Sequence, residues 1–187
     1  MRVFIAVEIN EEVRGRIAQA QQGLRAVGGI KWVEPENFHL TLKFLGEVEL
    51  GLVSRLANDL GAVAASFAGF DMVFRGAGVF PNEHRPRVVW MGIEEGLKQL
   101  FALALKVEEV CQALGFAAEH RPFSAHLTLG RAREAGAMLP ALAAGLKALE
   151  GKSFGQTPVN YITIMESTLT RTGPIYRPLH KLQLKGI

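Results

Sequence analysis

The feature that most restricts this chain is a tetrapeptide written twice. His39-Leu40-Thr41-Leu42 recurs as His126-Leu127-Thr128-Leu129, 87 positions later (126 − 39). In a β-strand, side chains at i and i+2 share a face. Each copy therefore sets an imidazole beside a hydroxyl and turns its two leucines the other way, toward a core. An offset close to half of 187 residues predicts two similar halves packed so that both polar pairs meet in one groove. That meeting is an expectation from spacing.

The rest of the chain agrees with a protein that can bury such a core. Its length suits a single two-lobed domain over residues 1–187. Nearly half the residues are apolar and about a fifth are charged, as in ordinary globular proteins. The apolar stretches are too short to span a bilayer, and Val3–Val7 is too brief for a secretory signal, so a cytoplasmic protein without membrane contact is expected. The lone cysteine, Cys111, excludes an intramolecular disulfide. It lies on a helical stripe with Leu97, Leu100, Phe101, Ala104, Val107 and Leu114, and reads as a small buried hydrophobe rather than a nucleophile. The formal net charge of +3 is compatible with a polyanionic partner and demands none.

Periodicity and turn signals predict strands over Val3–Glu8, Phe38–Leu45, Phe70–Phe80, Arg87–Ile93, Phe123–Leu129, Val159–Leu169 and Tyr176–Leu184. Helices are expected from an Asn10 cap to Gly28-Gly29, over Leu52–Phe67, along the Cys111 stripe to near Gly115, and over Pro140–Leu149. Strands and helices mix with several hairpins, which points to an α+β fold with antiparallel sheets and helices outside.

Two histidines and two hydroxyls suit the opening of a cyclic phosphodiester by water. One group must take the water's proton while another protonates the departing ribose oxygen. Histidine does both near neutral pH. Thr41 and Thr128 can donate to the phosphoryl oxygens as charge grows there. Zinc is the rival use of two histidines, but no third ligand stands at metal-like spacing. Two core-strand histidines that merely precede threonines are the bland alternative. Each copy, however, follows a proline and an aromatic, in Pro35-Glu36-Asn37-Phe38 and in Pro122-Phe123-Ser124-Ala125.

At these motifs the chain resembles the two-histidine phosphoesterase superfamily, whose mark is a pair of His-x-Thr/Ser-x (HxTx) motifs about half a chain apart. It is closer to the RNA 2′,3′-cyclic phosphodiesterase branch, also described as 2′-5′ RNA ligases. The likeness runs through Arg2–Glu8, Trp32-Val33, Pro35–Gly46, Pro86–Trp90, Arg121–Leu129 with Arg131, Glu166-Ser167, Gly173-Pro174 and Tyr176. It implies two pseudosymmetric lobes, each with an antiparallel sheet, around a positively charged active-site cleft. It also implies hydrolysis of a terminal 2′,3′-cyclic phosphate to a 2′-phosphate without metal or nucleotide cofactor. By that resemblance His39 is the proton donor to the leaving 3′ oxygen, and His126 is the proton acceptor from water. The partner would be RNA with 2′,3′-cyclic phosphate ends, tRNA halves among them, bound by a monomer.

Arg131 closes the second motif strand and is read as a bidentate phosphate donor rather than a solvated strand end. Phe44 and Tyr176 are candidates to line the cleft and stack on a base, against core packing. Lys43 is read as a surface charge, and His84, His120 and His180 as surface or loop histidines. Gly76-Ala77-Gly78 is too weak a pattern for a phosphate loop. ATP-independent 2′-5′ joining in the same site, a non-catalytic RNA or nucleotide-phosphate reader, and action on smaller cyclic phosphates stay open beside the hydrolase.

Overall fold

A computed structural model describes residues 1–134 and 136–186. In chain order it contains β1 (Arg2–Glu8), α1 (Glu11–Gln22), β2 (Ile30–Trp32), β3 (His39–Glu47), α2 (Leu50–Ser66), β4 (Phe70–Phe80) and β5 (Val88–Glu95). There follow α3 (Leu97–Ala113), β6 (Leu127–Ala132), α4 (Pro140–Leu149), β7 (Ser153–Val159), β8 (Tyr161–Leu169) and β9 (Pro174–Gln183).

The expected α+β architecture is what forms. The strands lie in the order β7-β4-β5-β6-β3-β1-β8-β9, with β2 added beside β6. Every strand pairing among them is antiparallel. Along that order four strands lie on each side of the β3–β6 junction, β2 being a ninth beside β6, and the junction consists of one pair, Leu40 opposite Leu127. Each motif strand is thus the inner edge of its half.

Helices cover the outer face. The chain crosses between halves: α1 follows β1 yet packs on β7, and α3 follows β5 yet reaches β3. α1 starts where Asn10 accepts the Val13 N–H at 2.9 Å, and Glu11 and Glu12 complement the helix dipole. Beneath the helices the core is continuous. It takes Val3, Ile5 and Val7 from β1, Leu40 and Leu42 from β3, and Leu127 and Leu129 from β6. On the other face of β1, Phe4 and Ala6 form a small separate cluster with Met165 and the half-buried Tyr176. Cys111 is fully buried, and desolvation pushes its thiol up to about 12. This agrees with its reading as a packing residue.

Several boundaries differ from those the periodicity predicts. α1 ends at Gln22, and residues 23–29 form turns rather than more helix. The predicted strand over Phe123–Leu129 begins only at Leu127, because residues 122–126 run as loop. β2 and β7 fall outside the strands that periodicity predicts. The first is three residues long. The second carries Gly155 at φ 105° and Pro158, both of which weaken a strand signal.

Candidate active site

Both motif strands carry the same irregularity. Ala6 opposes Thr41 while its neighbour Ile5 opposes Lys43, so Leu42 is an extra residue, a β-bulge. Trp90 opposes Thr128 while Val89 opposes Gly130, so Leu129 is extra in the same way. A bulge resets which face each later side chain takes. Before it, the histidine and threonine face the groove and the leucines face the core. After it, Lys43 and Gly130 turn to the core face, while Phe44 and Arg131 turn to the groove.

This corrects the reading of Lys43 as a surface charge. Its side chain is 4 % exposed, and its Nζ donates to Glu108 Oε2 at 2.6 Å and to the Ala117 carbonyl at 3.0 Å. Glu108 also accepts from Gln112 and from the Glu119 N–H. Burial raises its carboxyl, but the Gln112, Lys43 and Glu119 hydrogen bonds outweigh that and hold it below its usual value. The residue equivalent to Glu108 by the 87-residue offset is Gln21. It is buried on α1, and its Nε2 donates to Val33 O at 2.7 Å and to Leu129 O at 2.8 Å. Each half therefore sends one helix across to brace the other half's bulged strand.

The two histidines are held alike. His39 Nδ1–H donates to the Asn37 carbonyl at 2.7 Å, and His126 Nδ1–H donates to the Ser124 carbonyl at 2.8 Å. A carbonyl can only accept, so the neutral rings carry their proton on Nδ1 and leave Nε2 as the basic nitrogen. His39 Nε2 accepts from the Thr41 hydroxyl at 3.0 Å. His126 Nε2 has no protein partner among the described residues. Arg14 secures the backbone before His39 by donating to Pro35 O at 2.7 Å and Ile9 O at 3.3 Å. Asn37 Nδ2 ties the same segment to Pro174 O at 3.0 Å, where β9 begins.

Aromatic rings wall the groove. Phe4 lies 4.8 Å from His39, and Tyr176 meets His39 edge-on at 5.1 Å. Phe44, expected either to line the cleft or to pack in the core, is 62 % exposed beside Phe4. Phe80 meets His126 edge-on at 5.0 Å and packs on Trp90 at 5.1 Å. Sequence reasoning passes over Phe4, Phe80 and Trp90. Phe4 has a signal, being two residues from Ala6 on an alternating strand. The glycines near Phe80 have a packing role: a Cβ on Gly78 would come within 2.5 Å of the Trp90 ring.

The electrostatics link the halves. Desolvation lowers His39 to about 4; the Asn37 hydrogen bond opposes this, while Arg131 and Arg14 add to it and Glu8 opposes it. His126 is lowered by burial too, with Arg131 again adding to the effect. Burial raises the Tyr176 phenol, against Arg131 and Arg2. One guanidinium thus acts on both histidines and on Tyr176, which puts the predicted residues in a common field. His84, His120 and His180 stand apart and are exposed, as expected. Among the described residues there is no cluster of three His, Cys, Asp or Glu side chains able to hold a metal. No described helix is long and apolar enough to cross a membrane.

Comparison with known proteins agrees with this arrangement. The family model described as LigT-like phosphoesterase matches in two segments, residues 7–90 and 92–176, each with one copy of the tetrapeptide. The chain is 40 % identical over 180 residues to the RNA 2′,3′-cyclic phosphodiesterase of Archaeoglobus fulgidus, covering 96 % of this chain and 98 % of the relative. The crystal structure of TT0787 of Thermus thermophilus superposes with a TM-score of 0.80 at 33 % identity, over 100 % of this chain and 99 % of that one. A crystal structure of E. coli LigT complexed with 3′-AMP gives 0.77 at 28 % identity, over 98 % and 97 %. The chain belongs to the LigT-like phosphoesterase family.

Proposed function

We propose that this protein hydrolyses the terminal 2′,3′-cyclic phosphate of RNA to a 2′-phosphate, with His39 and His126 as the acid–base pair. The observation that carries this reading is the matched pair of imidazoles, each fixed through Nδ1 by a carbonyl, one opening β3 and the other just before β6, at strands joined at Leu40 and Leu127. Its substrate is taken from the Archaeoglobus fulgidus relative, named an RNA 2′,3′-cyclic phosphodiesterase.

In this scheme His126 Nε2 takes a proton from water as the water oxygen bonds to phosphorus. The bond from phosphorus to the 3′ oxygen breaks, and His39 Nε2–H protonates that oxygen. Thr41, Thr128 and Arg131 donate to the non-bridging oxygens, with Thr41 exchanging His39 for phosphate as the substrate arrives. Anionic phosphate beside His39 raises its affinity for a proton, which offsets the burial that lowers it in the empty groove. Phe44 and Tyr176 offer faces for the terminal base. No step calls for a metal.

The test is a short RNA ending in 2′,3′-cyclic phosphate, incubated with the protein in EDTA, beside the His126→Ala variant. Product mass and phosphatase sensitivity identify a 2′-phosphate. Loss of product in the variant supports the scheme. Activity that EDTA abolishes and zinc restores would overturn it.

A further inference from the structure

A groove that receives an anion holds a carboxylate close to one of its histidines. Glu8 ends β1 directly opposite His39 on β3, so the two side chains leave the sheet on the same face. Cross-strand neighbours of this kind have Cβ atoms about 4.5–5.5 Å apart. On the side away from His39, Glu8 is clamped. Its Oε1 accepts from the Thr163 hydroxyl at 2.7 Å, and its Oε2 accepts from Lys181 Nζ at 3.0 Å. Thr163, on β8, is fully buried, and Lys181 stands opposite it on β9. Among the described residues the Thr163 hydroxyl makes no other hydrogen bond, so a buried donor is committed to keeping this carboxylate in place. Charge thus alternates along the groove face from His39 to Glu8 to Lys181.

A solvated strand-end glutamate would need no such clamp, and an exposed Glu–Lys pair contributes little to stability. The surroundings of His39 give the carboxylate another use. Arg131 of β6 and Arg14 of α1 both act against a positive charge on the imidazole, and Glu8 is the one carboxylate that acts in its favour. Tyr176 of β9 meets the ring edge-on, and burial raises its phenol, so it stays neutral and supplies no countercharge. Glu8 weakens the pull of the groove on a phosphate and strengthens its hold on a proton at His39. A groove that only bound anions would gain nothing from that exchange. One that must present a protonated imidazole does.

We infer that Glu8 is a positioning residue for the acid–base pair: its carboxylate, fixed by Thr163 and tempered by Lys181, favours the proton-bearing form of His39. The inference rests on the hydrolase reading, in which His39 delivers a proton to the leaving 3′ oxygen, and deepens it by naming what keeps that proton available.

Two variants test it, because they pull in opposite directions. E8Q keeps the size of the side chain and removes its charge, whereas K181M frees the carboxylate from its cation. An NMR titration of the His39 ring, made without substrate, should find its midpoint at lower pH in E8Q than in the intact protein and at higher pH in K181M. On the alkaline side of the optimum for a 2′,3′-cyclic phosphate RNA, with chemistry limiting, kcat should fall about three- to tenfold in E8Q and rise in K181M. KM should follow kcat in each variant, since the groove of E8Q attracts phosphate more strongly and that of K181M less. A purely structural role would lower kcat in both variants and leave the His39 midpoint where it was; either result would overturn the inference. Midpoints that move as expected in a protein whose His39→Ala variant keeps full turnover would instead overturn the hydrolase reading, and the role of Glu8 in catalysis with it.

Discussion

Leu40 and Leu127 are cross-strand partners, and among the described residues theirs is the one pair between β3 and β6. Both are fully buried on the core face. Antiparallel register about that pair sets His39 across from Thr128 and Thr41 across from His126. The pseudo-twofold relation between the halves thus runs between these two leucines, and the polar groups on the opposite face are interleaved. Each histidine has a threonine of its own motif at i+2 and one from the other motif across the junction.

Histidines that act as a unit should fail as a unit. His39→Ala and His126→Ala are each expected to cut turnover of a cyclic-phosphate RNA by about 10²–10⁴-fold. The double variant should lose little more than the weaker single one. Single-turnover rates beside circular dichroism check this. A double variant as active as the intact protein would sink the mechanism.

The lowered histidines make a prediction about pH. In the free protein His39, the proposed proton donor, sits at about 4, and His126, the proposed acceptor, sits below its ordinary 6.5. A bell-shaped kcat/KM profile is centred between its two ionisations, so its maximum should fall below pH 6.5. Bound phosphate favours the protonated imidazole, so the kcat maximum should lie at higher pH than that of kcat/KM. A kcat/KM optimum above pH 7.5 with chemistry limiting would contradict this.

The same shift affects stability. The unfolded chain binds a proton at His39 near pH 6.5, and the folded protein binds it only near 4. Below pH 6.5 the unfolded state therefore holds more protons, and folding stability falls until about pH 4. At pH 5 the expected loss is about 1–2 kcal/mol. His39→Asn should lose less stability than the intact chain between pH 7.5 and pH 5, as read by urea midpoints. Equal losses would argue that His39 is well solvated.

Lys43 should be worth more as half of a pair than alone. Lys43→Met leaves Glu108 without its ammonium partner in a mostly buried position, and is expected to cost about 3 kcal/mol. Lys43→Met combined with Glu108→Leu should recover most of that stability, because neither charge is then stranded. Denaturant unfolding of the four proteins in the cycle measures the coupling. A negligible cost for the single change would show that the pair is solvated.

The sequence by itself determined the elements whose signals are local and the residue pairs that share a strand. Asn10 predicts its helix start by its own side-chain oxygen, Phe70–Phe80 appears with the expected bounds, and Pro140–Leu149 does too. His39 with Thr41, and His126 with Thr128, follow from a period of two within three residues. The tertiary structure decided what depends on counting across strands. Alternation carried past Leu42 would put Lys43 on the groove face and Phe44 in the core. One extra residue in β3 reverses both, and one in β6 does the same for Gly130 and Arg131. A bulge leaves no mark on the alternation of a single strand, because it exists only relative to its partner. The bracing of β3 by Glu108 and of Leu129 by Gln21 is equally silent in the sequence, since each links residues 65 or 108 positions apart. Chemical identity was therefore local, while orientation in the groove required the neighbouring strands.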